Sequence, residues 1–165
     1  MSEEKNKSVS FDVTMDSKIL YDYMINHAYT GSSGILGTCF GVLGILFFLK
    51  TNYVLYLIIG AVLILYLPIN LRYRAALQMQ NVESFKKPLH YNVDENGITV
   101  SQDDTTQQVA WEQCTKAVST KQSIVVYTGK ANASIFPRKQ LEDRLPALIA
   151  VIAENMEPRK VKIRF

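Results

Sequence analysis

Residues 28 to 71 are 44 consecutive positions with a single charged side chain, Lys50, while the other 121 positions hold 32 of the chain's 33 charges. A buried hairpin in a water-soluble domain would need enough surrounding surface to cover two helices that are apolar on every side. A chain of 165 residues does not have it. Lys50-Thr51-Asn52 divides the block into residues 28–49 and 53–71, which are 22 and 19 uncharged residues. At ~1.5 Å per residue these reach roughly 33 and 28 Å, against a hydrocarbon core of about 30 Å. The block reads as a transmembrane helical hairpin.

The 27 residues before it are long for a signal peptide's charged segment and carry a net charge of −2. Arg72, Arg74, Lys86 and Lys87 follow the second helix, and only Lys50 marks the tip. The excess of basic residues on the cytoplasmic side predicts a multi-pass protein of the inner cell membrane with both termini in the cytoplasm. Tyr29, Tyr53, Tyr66 and Tyr73 lie where an interfacial aromatic belt is expected. Along the first helix Ser33, Gly37, Gly41 and Gly44 form a small-residue stripe, which invites close approach of another backbone. That backbone is either the chain's own second helix at Gly60-Ala61, a second copy in a homodimer, or another membrane protein.

Outside the block the pattern changes. Residues 8–14, Ser-Val-Ser-Phe-Asp-Val-Thr, alternate polar and apolar as a half-buried strand does, and a strand needs partners from elsewhere in the chain. Residues 16–26 have the spacing of a short amphipathic helix, completing a cytoplasmic segment 1–27. Residues 72–84 extend the second span as a helical stalk. Short strands are expected at 86–93, 98–102, 107–111, 114–120, 124–127 and 133–136, with Asn96-Gly97 marking a hairpin. An amphipathic helix at 137–156 follows, with Pro146 predicting a kink or a late start. A basic tail, 158–165, ends the chain. The layout is a curled antiparallel sheet of about six or seven strands plugged by a C-terminal helix.

Tyr91-Asn92-Val93-Asp94-Glu95-Asn96-Gly97-Ile98-Thr99-Val100, then Val109-Ala110-Trp111-Glu112, then Ile135-Phe136-Pro137-Arg138-Lys139 resemble the YcxB-like family of bacteria. The resemblance implies two transmembrane helices and a pleckstrin-homology-like (PH-like) domain at 85–157. It also implies that the strand around Phe11 completes the sheet, with the hairpin inserted between the first two strands. Trp111, Ile98, Val100, Val109, Leu145 and Ile149 are the expected core of that domain, Trp111 lying on a strand under the terminal helix.

The residues carry no catalytic signature. His27 and His90 lack metal-site companions in spacing, Cys39 and Cys114 read as unpaired thiols, and no phosphate loop or nucleophile elbow occurs. The acidic pairs fall in turns or at a helix start. No enzyme activity and no cofactor are expected. Residues 72–165 hold 14 Lys and Arg against 10 Asp and Glu. Arg72, Arg74, Lys86, Lys87, Arg159, Lys160, Lys162 and Arg164 are the candidate contacts with the anionic inner leaflet. The modest charge argues against nucleic acid. The expected function is a non-enzymatic membrane protein whose cytoplasmic domain binds a protein partner or anionic lipid. Immunity against membrane-active peptides and an accessory role in a transporter are the alternatives.

Overall fold

The computed structural model describes residues 8–129 and 132–164. The side chain of Ser33 and the outer ends of segments 1–27 and 158–165 lie outside the described residues.

Strand β1 (Val9–Val13) buries Val9, Phe11 and Val13 and exposes the residues between them. Asp16 then stops the strand and caps α1 (Ser17–Thr30), its Oδ1 accepting the N–H groups of Lys18 and Ile19 at 2.7 Å each. Gly31 separates α1 from α2 (Ser32–Thr51), and α3 (Val54–Asn81) runs back antiparallel to it. Both α2 and α3 are long and apolar enough to cross a membrane. All the large apolar side chains that stand exposed among the described residues lie between Tyr29 and Tyr73.

The chain then returns to the strand it left. β2 (Leu89–Asp94) pairs antiparallel with β1, in the register Phe11 opposite Tyr91, and continues into β3 (Gly97–Gln102) and β4 (Thr105–Val109). A second sheet follows from β5 (Lys116–Ser119), β6 (Ser123–Tyr127), β7 (Ala133–Pro137) and β8 (Val161–Lys162). Its order is β7-β6-β5-β8. Between β7 and β8 come α4 (Arg138–Leu141), a 3-10 turn at Glu142–Arg144, and α5 (Leu145–Asn155). The core lies between the sheets and α5. Phe136 meets Tyr91 and Phe11 edge-on at 5.1 and 5.6 Å, and Leu148, Val151 and Ile152 of α5 are buried with them.

Several expectations need correction. There is not one antiparallel sheet but two, each of four strands, and the basic tail supplies β8, parallel to β5. Val161 and Ile163 pack against the core, which is what draws that tail onto the sheet edge. The first apolar helix begins at Ser32 rather than residue 28, because residues 28–30 finish α1, and the turn is Asn52-Tyr53, with Asn52 left-handed at φ 55°. The stalk is helical to Asn81, followed by a 3-10 turn at Glu83–Phe85. Trp111 is not on a strand. It opens a 3-10 turn, Trp111–Gln113, where its Nε1 donates to the Asp94 carbonyl at 2.8 Å.

The C-terminal helix is broken at Glu142, where φ turns positive at 36°, and starts afresh at Leu145 with Pro146 in its first turn. Gly97 is the first residue of β3, not a loop residue. Its φ of 146° and the Val109 carbonyl oxygen, which a Cβ would strike, both demand glycine. Of the expected core, Ile98, Trp111 and Ile149 are buried, whereas Val100, Val109 and Leu145 are only half-buried.

Candidate functional site at the junction of helices and sheets

Where α1 and α3 run side by side beyond the apolar pair, they leave a cavity of about 510 Å³ between themselves and both sheets. Met15 from the link between β1 and α1, Leu20 from the start of α1, and Leu89, Tyr91 and Ile135 from β2 and β7 supply an apolar lining. At the end nearest the apolar helices stand Ala28, Leu71 and Arg74. Arg74 lies three residues beyond Leu71 on the same helix, and its Nε donates to Asn70 Oδ1 at 3.1 Å.

The last turn of α1 separates this cavity from a second recess of about 340 Å³, bounded by Thr30, Gly31, Lys116, Tyr127 and Gly129. His27 and Ala28 line both. Between them three rings form a triangle: Tyr23 and His27 stack at 5.9 Å, His27 and Tyr127 at 5.8 Å, and Tyr23 lies tilted 6.0 Å from Tyr127. Burial, and secondarily the neighbouring Tyr23, pushes the Tyr127 phenol up to about 12, and burial raises Tyr23 as well. Lys116 reaches this place because β5 and β6 pair it with Tyr127. Sequence reading missed Lys116, since nothing local to residue 116 announces which strand lies opposite.

One turn earlier on α1, the buried carboxylate of Asp22 accepts the backbone N–H of Gln122, in the turn between β5 and β6, at 3.1 Å. This contact orients the second sheet along α1. The Thr120–Ser123 turn lies beside Asp22, and Lys116 and Tyr127 lie toward Thr30, roughly 12 Å further along the helix.

That direction sorts the eight candidate cations. Arg72 and Arg74 sit at the boundary of the apolar helices. Lys86 and Lys87 come after α3 has carried the chain a further ~15 Å from Leu71 to Asn81. Lys87 is also paired with Asp103 at 2.6 Å, a contact that raises its pKa. In the tail, Arg159 and Lys160 precede β8 on the Lys116 side, Lys160 lying 3.3 Å from Glu157. Lys162 pairs with Val118, nearer the Asp22 end. Arg164 is held at that far end, where its N–H donates to Ser119 Oγ at 2.7 Å and its carbonyl accepts from Arg138 Nη2 at 2.9 Å.

The glycine stripe also divides. A Cβ on Gly60 would stand 2.7 Å from the Gly41 carbonyl oxygen, and one on Gly44 would stand 3.0 Å from Gly60 Cα, so these three glycines are where α2 and α3 touch. A Cβ on Gly37 would meet nothing within 4 Å. Among the described residues no group of three or more His, Cys, Asp or Glu side chains could hold a metal ion.

A family model described as YcxB-like protein matches residues 93–152, from the end of β2 into α5. Comparison with curated proteins and with solved structures finds no match.

Proposed function

We propose that this chain, which carries a YcxB-like domain, is a two-span protein of the inner membrane with both termini in the cytoplasm. In this reading its PH-like domain is non-enzymatic and rests on the anionic leaflet. The supporting observation is that β1 and β2 are hydrogen-bonded neighbours although residues 14–88, including both apolar helices, lie between them. A hairpin whose two ends belong to one sheet has both ends on one side of the bilayer, and the basic flank at Arg72 and Arg74 makes that side cytoplasmic. The PH-like assignment draws on the order of elements: a four-strand meander, a second meander of three strands, then a C-terminal helix, with β8 an added edge.

Among the described residues, Arg72, Arg74 and Lys116 are the cations nearest the cytoplasmic boundary of the bilayer, each contributing roughly 1 kcal/mol beside an anionic surface. Arg159 and Lys160 extend the same side of the domain.

Single cysteines in a Cys39→Ser, Cys114→Ser background test the topology. With an impermeant maleimide on intact spheroplasts, Lys50→Cys is expected to label, and Asp12→Cys and Glu142→Cys only after lysis. The reverse pattern overturns the reading. For leaflet docking, a probe at Lys116→Cys in nanodiscs should be quenched by headgroup labels when anionic lipid is present. That quenching should fade as salt shortens the Debye length from about 10 Å to about 3 Å. Quenching indifferent to salt and to lipid charge argues for a protein partner instead.

A further inference from the structure

The 510 Å³ cavity is large enough for a small-molecule ligand, within the ~300–1,000 Å³ usual for such sites. Its distribution of polarity is specific. Among the described residues no Asp or Glu lines it, and its end away from the apolar helices is apolar through Met15, Leu20 and Leu89. Arg74 stands at the other end, and among the described residues no carboxylate lies within ion-pair distance of it; its side-chain partner is the neutral Asn70. A guanidinium without a protein counter-ion favours an anionic oxygen, for which it offers paired N–H donors.

The cavity also reaches the apolar helices: Leu71, where the uncharged stretch of α3 ends, and Ala28, in the last turn of α1, both line it. A bilayer lipid at this boundary therefore has the hollow beside it. We infer that the cavity binds one acyl chain of an anionic phospholipid, with the phosphate on Arg74. This inference rests on the membrane topology proposed above. It makes the domain a reader of individual lipids rather than only a charged body near a surface.

The test uses the full chain in phosphatidylcholine nanodiscs containing phosphatidylglycerol with a photoactivatable group midway along one acyl chain. Adducts are expected on Met15, Met24 and Leu89, besides those on the outer faces of α2 and α3. Gln78→Trp, which fills the cavity from a half-buried position, should remove the first set and keep the second. Arg74→Gln should cut the preference for phosphatidylglycerol over an identically labelled phosphatidylcholine by roughly tenfold, the size of one lost charge-assisted contact. Adducts confined to the outer faces, or equal for the two headgroups, overturn the inference. Displacement by free fatty acid but not by unlabelled phosphatidylglycerol overturns it in favour of a fatty-acid site. If neither the cavity nor exposed residues such as Phe40 and Leu65 are labelled, the topology itself has failed.

Discussion

The helical pair and the two sheets of this chain are held together by opposite means. In α2 and α3 the contact is backbone against backbone: Gly41, Gly44 and Gly60 let the helices close in, and the large side chains point away, Leu49 being 67% exposed and Phe40 61%. In the sheets the contact is side chain against side chain, with Phe136, Ile98 and Ile124 fully buried together with Leu148 of α5. Water provides a reason to bury side chains and lipid does not, so close packing in a bilayer has to come from small residues. On the proposed topology one chain obeys two solvents, and the change of rule falls at Gly31 and Leu71.

That contrast can be broken at specific positions. The largest effect is expected from Phe136→Ala, which empties the centre of the aromatic trio and should cost about 4 kcal/mol of domain stability in denaturant titrations followed by Trp111 fluorescence. Gly97→Ala should cost at least about 3 kcal/mol in the same assay, since it combines a forbidden backbone angle with a collision on the Val109 carbonyl. Gly60→Leu belongs to the other rule. It should leave the Trp111 transition unmoved while weakening the helical pair by about 1–2 kcal/mol, read as a wider separation of spin labels at Ile35 and Ile69. A shift in the Trp111 transition instead would erase the contrast.

A fourth effect separates the regions by pH. Burial pushes the phenols of Tyr91 and Tyr127 up to about 12, above the ordinary value of 10, so the folded domain resists their ionisation and the unfolded chain does not. The associated stability is complete below pH 10 and is lost as pH rises toward about 12; Tyr91→Phe should flatten that loss. The smallest effect is Gly37→Ala, where the added methyl meets open space and the spin-label separation should stay as it is. A measurable change would point to a second helix seated there.

The legible features were those with a local cause. Residue-scale hydropathy announced α2 and α3, and the alternation of Val9, Phe11 and Val13 announced β1. Pro146 marked the true start of α5. What stayed hidden depends on partners distant in sequence. Trp111 looks like a strand residue until Asp94 supplies the acceptor for its ring N–H, seventeen residues away. The tail reads as free until Ser119 and Arg138 are seen to hold Arg164. Lys116 and the cavity at Arg74 arise only when β5, α1 and α3 are brought together, so no spacing along the chain could reveal them.

The adjacency of β1 and β2 also has a consequence for synthesis. Strand β1 leaves the ribosome with no partner, and 75 further residues, 14–88, are translated before the first residue of β2 exists. At ~5–20 residues per second, that is a wait of roughly 4–15 seconds. On the proposed topology the sheet closes only if both helices have entered the bilayer and brought the chain back to the side it started from. A single-span misinsertion would strand β1 opposite its partners, leaving Tyr91 and Phe136 without Phe11 and the β2 edge open to degradation. The domain's own folding would then act as a proofreading step on the insertion that preceded it.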